Sequence, residues 1–329
     1  MPTFRPGNRR TIYDGLQSAK GTPQTTPTQK LRVQDFTPSE VRQKTELEET
    51  DALAMDGESV AVGLIPGFTI AKYLRPSEDD LLFHYLLGTT VDTGTNPNFT
   101  HTESPSLTPP FGTFYEAEPG LMVNRYVDVA VVSATVRGGA GQALTVSYQC
   151  EALDFLAGET EPVAPANPVS ELPFVYPEVT NTLGGSAPGT VDEFELTISR
   201  VGQRIQGDLG MKSQHYQQGK LVVSGSITKY VTDDTSGDDY QRAIDTGSKT
   251  GTTPTTAIYT EPLNIKAVRN ANLSVEFDMD EVEYTTRQAG PRTDGSPLVE
   301  VLAFRTPPQP TLAGDITVIW KNAKATVQT

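Results

Sequence analysis

The chain has one cysteine, Cys150, among 329 residues. No intrachain disulfide is possible, and the fold needs no oxidising compartment. Cys150 ends an alternating strand and is expected as a small core residue. Histidine is almost as scarce. None of His84, His101 and His215 stands with another histidine or the cysteine at metal-ligand spacing, so no metal and no cofactor is expected. His84 lies on an apolar helix and reads as a satisfied core or interface residue. Long apolar runs are missing too: the longest candidate, Val60–Ala71, is interrupted by Gly63, Pro66 and Gly67, too short and broken to cross a bilayer. Met1–Arg10 has arginines but no apolar stretch behind them, so no signal peptide is expected. Cations are few, 26 Lys and Arg against 41 Asp and Glu, for a net charge of −15. Phosphate binding needs clustered cations, which argues against a nucleic-acid binder.

What is present describes a globular chain. Charged residues make up 20% and hydrophobic residues 36%, and the length suits two domains that each bury a core. The charge is uneven. Arg5, Arg9, Arg10, Lys20, Lys30 and Arg32 face only Asp14 in the first 34 residues, on an otherwise acidic chain. Residues 1–30, rich in Pro, Thr and Gly, read as an extended basic arm, which either docks on an acidic surface, such as another copy, or stays solvated. Residues 37–57 carry Glu40, Glu46, Glu48, Glu49, Asp51 and Asp56 and read as a long exposed loop or polar hairpin.

The chain contains a strand-then-helix unit twice. Ile70-Ala-Lys72-Tyr73-Leu74 precedes Ser77-Glu-Asp79-Asp80 and a helix ending at Gly88; Ile227-Thr-Lys229-Tyr230-Val231 precedes Ser236-Gly-Asp238-Asp239 and a helix ending at Gly247. The serines suit N-caps, the aspartates suit the positive end of the helix dipole, and the glycines suit left-handed C-caps. The first helix is apolar nearly all round and should be largely buried. A second echo is expected between hairpins, Val136-Arg137 to Tyr148 and Val268-Arg269 to Phe277. A repeat of this kind predicts two equivalent domains, 31–156 and 191–329, joined by a Pro/Gly-rich linker over 157–190. Residues 91–122, with five prolines, read as a surface loop. Each half is mainly antiparallel strand with one short helix, an α+β or all-β sandwich pattern.

Strand 273–280 alternates most cleanly. Leu273, Val275, Phe277 and Met279 share one face; Ser274, Glu276, Asp278 and Asp280 share the other. A row of like charges is not a catalytic pair with separated pKa values, and calcium-loop spacing is absent. Gly138, Gly139 and Gly141 lead into a strand without a G-K-S/T, so they form a hairpin turn rather than a phosphate loop. Gly185-Ser186 and Gly225-Ser226 lack the nucleophile-elbow context. No enzyme is predicted.

From about Asn8 to Ala325 the chain resembles the major tail tube proteins of long-tailed, non-contractile bacteriophages. The resemblance rests on Gly15–Pro23 (G-L-Q-S-A-K-G-T-P), the strand leading into the S-x-D-D helix, the hairpin Val136–Val146, and the closing Gly314–Val318 (G-D-I-T-V). It implies β-sandwich tube domains, each flanked by a short helix. It also implies a virion protein of the tail tube, assembled in the host cytoplasm, whose rings stack into a hollow conduit for ejected DNA. A duplicated chain implies three-subunit rings. The expected partners are other copies, the tape-measure protein and other tail proteins, with no membrane and with DNA passing unbound. On this reading Glu276, Asp278 and Asp280 are expected to face the lumen, with the matching face of the first half at Thr145, Ser147, Gln149 and Glu151. Arg5, Arg9, Arg10, Glu46, Glu48 and Glu49 are expected at ring–ring contacts. The alternative is a surface-binding β-sandwich, a capsid decoration or adhesin-like module, which accounts for strands and acidity but less naturally for the duplication.

Overall fold

A computed structural model describes residues 10–39, 41–46, 59–118, 120, 122–165, 171–187, 190–200, 202–206, 210, 212–230, 236–289, 299–307 and 316–327. The protein is mainly β. Its first half runs β1 (Thr11–Leu16), β2 (Gln29–Leu31), β3 (Asp35–Pro38), β4 (Arg42–Glu46), β5 (Ser59–Leu64) and β6 (Gly67–Tyr73). Helix α1 (Asp80–Leu87) follows, then β7 (Gly88–Thr95), β8 (Asn98–Pro105), β9 (Gly112–Glu118), β10 (Met122–Gly139), β11 (Thr145–Glu151) and β12 (Asp154–Ala157). The second half runs β13 (Val179–Leu183), β14 (Val191–Ser199), β15 (Gln203–Gln206), β16 (Ser213–Gln217) and β17 (Val222–Tyr230). Helix α2 (Ser236–Thr246) precedes β18 (Thr260–Asn270), β19 (Leu273–Ala289), β20 (Val299–Arg305) and β21 (Thr317–Asn322).

One strand-pairing pattern occurs twice, all antiparallel. In the first half β1 pairs with β9, β9 with β10, β10 with β11 and β12, β11 with β6, and β6 with β3. In the second half β13 pairs with β18, β18 with β19, β19 with β20 and β21, β20 with β17, and β17 with β14. Each half also inserts a two-stranded hairpin at the same place, β4–β5 and β15–β16. The irregularities match as well. The ladder slips between Val131 and Ser133 in β10 and between Tyr284 and Thr286 in β19.

This order corrects the expected hairpin match. The pair β18–β19 corresponds to β9–β10, and β10–β11 corresponds to β19–β20. Apolar alternation recurs in β11, β18 and β20, so period alone cannot choose between hairpins; pairing partners can. Two further boundaries differ from the sequence reading. Within the expected arm, Thr11–Leu16 is a strand with Ile12 and Tyr13 buried. Within the expected linker, Phe174 and Leu183 are buried and Val179–Leu183 is a strand. The stretch read as a surface loop forms β7, β8 and β9. Its prolines punctuate strands, with Pro97 between β7 and β8 and Pro109 and Pro110 before β9, instead of preventing them.

The strands make two layers. One is a continuous sheet in the order β3-β6-β11-β10-β14-β17-β20-β19, which crosses from the first half to the second where β10 meets β14. The other layer is split into β2-β1-β9-β10-β12 and β13-β18-β19-β21-β8-β7. The long strands β10 and β19 serve both layers, N-terminal half in one and C-terminal half in the other. The core lies between. Helix α1 is buried along its whole length, and Phe83 meets Tyr148 of the continuous sheet at 5.7 Å and Phe277 and Trp320 of the other layer at 5.8 and 5.5 Å. Phe68 likewise meets Phe114 at 5.2 Å and Tyr126 at 4.8 Å.

Candidate assembly edges and buried ion pairs

The repeated lysine of the I-x-K-Y strand lies inside both halves. The apolar alternation of β6 turns Phe68, Ile70 and Lys72 to the core, so the Lys72 ammonium is fully buried. An unpaired ammonium there would be costly. It sits 3.1 Å from both Glu78 and Asp79, and Arg32 also grips Glu78. Ser77, expected to cap the helix, and the two aspartates thus have other work. Ser77 Oγ donates to Glu171 at 2.8 Å, while Asp79 accepts from the Arg75 amide at 2.7 Å and the Tyr148 hydroxyl at 2.9 Å. Asp80 takes Lys324 at 2.9 Å and the Asn322 amide at 3.1 Å, and so ties α1 to the far end of the chain. The expected left-handed C-caps do form, with φ of 104° at Gly88 and 79° at Gly247. Burial raises the Glu78 carboxyl, but Lys72 and Arg32 outweigh it and its pKa falls below the ordinary value. For Asp79 burial prevails and the pKa rises.

In the second half Lys229 is buried as well, but its counter-charge comes from β20: Glu300 at 3.6 Å, itself gripped by Arg287. Tyr240 of α2 lies 4.7 Å below the Lys229 ammonium. Two acids lack such compensation. Asp14 is buried with Gln29 donating to it at 3.1 Å, and burial pushes its pKa up to about 7. Glu103 is fully buried, and burial raises it well above the carboxylate range. Cys150 is a buried core thiol. His84 accepts or donates at 2.7 Å to Thr90, and burial lowers its pKa. His101 lies between Asp92 at 2.6 Å and Asn322 at 2.9 Å. Among the described residues no three His, Cys, Asp or Glu side chains are grouped to hold a metal.

The acidic row sits on the N-terminal half of β19, in the split layer. Glu276 pairs with Lys266 at 2.6 Å, and Asn264 donates to Glu276 at 2.7 Å and to Asp278 at 3.1 Å. Asp280 is exposed at the end of the row. Strand β18 thus neutralises part of the acidity read from β19 alone. Of the residues expected at ring–ring contacts, Arg10 is engaged within the chain, 3.2 Å from Glu116 and donating to the Phe36 carbonyl at 3.1 Å. Glu46 ends β4. Arg5, Arg9, Glu48 and Glu49 lie outside the described residues.

Sequence reasoning missed the pairing edges. Among the described residues the continuous sheet ends in two strands with one neighbour each: Asp35–Pro38 of β3 pairs with β6, and residues 284–289 of β19 pair with β20. Its far face carries hydroxyls, including Thr69, Thr135, Ser147, Thr197, Ser224 and Ser226, opposite the buried alternation. Among the described residues the pairing pattern thus occurs twice, on a continuous sheet with an edge strand at each end. Residues 7–319 match the phage tail tube protein family, and the chain belongs to it. It is accordingly a structural protein of the phage tail. Among solved structures it is similar to the tube-terminating cap of the anti-feeding prophage, determined by cryo-EM. The identity is 13% and the TM-score 0.32, over 47% of this chain and 95% of that one. No curated protein sequence matches it significantly.

Proposed function

We propose that the protein forms the tail tube itself, as rings of three copies stacked into a hollow conduit through which DNA is ejected, with the tape-measure protein and other tail proteins as partners. The observation that carries this reading is the doubled pairing pattern along one continuous sheet. Each half then acts as one tube domain, beginning at β1 and at β13. Three copies supply 24 strands, which at about 4.8 Å per strand and a tilt of about 40° close on a circumference of about 150 Å and a diameter of about 48 Å. Six copies would double both.

A continuous sheet belongs at the smaller radius of such a ring, and a layer split into two pieces at the larger. The bore is therefore lined by the hydroxyl face of the continuous sheet. This moves the lumen assignment away from Glu276, Asp278 and Asp280, whose layer faces outward. The face expected to match them, Thr145, Ser147, Gln149 and Glu151, is on the bore side. Its cations Arg137 and Arg305 are paired with Glu195 and Glu283, so hydroxyls and paired charges leave no cation cluster to hold phosphate, and a polyanion slides past.

The test is a pair of lysine sets in tubes that still assemble. Ser147→Lys with Ser226→Lys should retain DNA and slow ejection, and raised salt should relieve the effect. Glu276→Lys, Asp278→Lys and Asp280→Lys together should leave ejection unchanged. The opposite result would place the acidic layer in the bore.

A further inference from the structure

We propose that Lys72 and Asp79 condense after folding into an amide bond between their side chains, with Glu78 as the base. This covalent modification goes beyond the tube reading and does not rest on it. The bond would pin the end of β6 to the start of α1, the helix at the centre of the core.

The three side chains are held as reactants. The Lys72 nitrogen lies 3.1 Å from Asp79 Oδ1 and 3.1 Å from Glu78 Oε2, and none of the three residues is more than 2% exposed. Yet this nitrogen makes no aligned hydrogen bond to any acceptor. Reacting atoms held this close in one arrangement turn a rare collision into a unimolecular step. Two donors hold the carboxyl. Asp79 Oδ2 accepts from the Arg75 amide at 2.7 Å, and Oδ1 accepts from the Tyr148 hydroxyl at 2.9 Å. The Tyr148 ring is braced edge-on by Phe83. The Arg75 amide is therefore in place to stabilise negative charge on Oδ2 when the carboxyl carbon becomes tetrahedral.

The environment separates the roles of the two acids. Burial raises Asp79, which favours the acid form, with a hydroxyl to lose. At Glu78 the charges of Lys72 and Arg32 outweigh burial, so it stays a carboxylate able to take a proton. Two neighbouring carboxyls pushed apart in this way make an acid and base pair.

The step balances without a co-reactant. Glu78 takes one proton from the Lys72 ammonium. The freed amine attacks Cγ of Asp79, a C–N bond forms, and the C–Oδ1 bond breaks. The departing hydroxyl takes a second proton from the nitrogen and leaves as water. The nitrogen keeps its third hydrogen as the amide N–H, and nothing is oxidised or reduced. The product removes an ammonium from a dry interior, where charge is costly.

The second half offers an internal comparison. Among the described residues Lys229 has one acid at hand, Glu300 at 3.6 Å, and Arg287 grips that acid too. One carboxylate cannot serve as both base and electrophile, so Lys229 should stay unlinked.

The experiment is mass spectrometry of the full-length protein, denatured so that ion pairs fall apart. Most wild-type chains should be lighter than their sequence by one water. Trypsin should fail to cut after Lys72, and the loss should map to the peptide that holds residues 72 and 79. Lys72→Arg, which keeps the charge, and Glu78→Gln, which removes the base, should both show the full sequence mass. A wild-type chain of full mass that trypsin cuts after Lys72 would overturn the bond, and this result needs no variant to fold. So would a water loss mapped to Asp14-Gly15, Asp56-Gly57 or Asp294-Gly295, where an aspartate can cyclise on its own backbone. Complete linkage in Glu78→Gln would overturn the role of Glu78 as base.

Discussion

Lys72 is the residue on which the first half turns. Replacing it by Met leaves Asp79 buried beside only neutral donors, and loss of one partner of a buried ion pair costs about 3–5 kcal/mol. Chemical denaturation should show that loss for Lys72→Met, and the double variant with Asp79→Asn should cost clearly less than the sum of the two single changes. Asp14 acts with the opposite sign. Its folded pKa of about 7 lies above the ordinary value of 3.8, so the folded state binds the proton more tightly. That contribution to stability is complete below about pH 4 and is lost as pH rises towards 7. Asp14→Asn should match the wild type in stability at pH 4 and exceed it at pH 8 by at most about 4 kcal/mol. A constant difference across that range would contradict the assignment. At this scale the sequence was partly readable. Both lysines of the I-x-K-Y strands and both C-cap glycines stand out as a repeat. The counter-charges do not: Glu300 comes from a distant strand and Lys324 from the segment after β21, which no local spacing announces.

At the scale of elements, the two halves are not independent. Strands β7 and β8 of the first half extend the sheet of the second through β21, and Trp320 on β21 packs on Phe83 of α1. Trp320→Ala should cost about 3–5 kcal/mol. Hydrogen exchange should quicken along α1 as much as along β21, although about 240 residues separate them. Element type was legible wherever period two was clean, as in β11, β14 and β19, and so was the sandwich class. The partner of each strand was not. Strands with the same alternation, such as β11, β18 and β20, admit more than one register of the repeat, and the long strands β10 and β19 each hold two sets of partners. For the same reason Thr11–Leu16 reads as part of a polar arm until β9 is placed beside it and Ile12 is found in the core.

For the whole molecule, the sequence showed the duplication and the acidity, while the edges and the bore face needed the pairing map. Residues 273–280 are acidic in sequence, yet Lys266 and Asn264 on the next strand quench Glu276 and Asp278. The basic residues ahead of β1 still differ in charge from the acidic stretch between β4 and β5. A deletion of residues 2–9, which spares β1, should therefore keep the protein folded and shorten its tubes; tubes of normal length would exclude a role for Arg5 and Arg9 between rings. The most direct test of the account as a whole is cryo-electron microscopy of the purified full-length protein. It should show stacked rings of three copies, with a continuous strand barrel about 48 Å across at the inner wall and the hydroxyl face of that barrel towards the bore. A monomer at high concentration, or a ring whose inner wall is the layer of β18, β19 and β21, would contradict it.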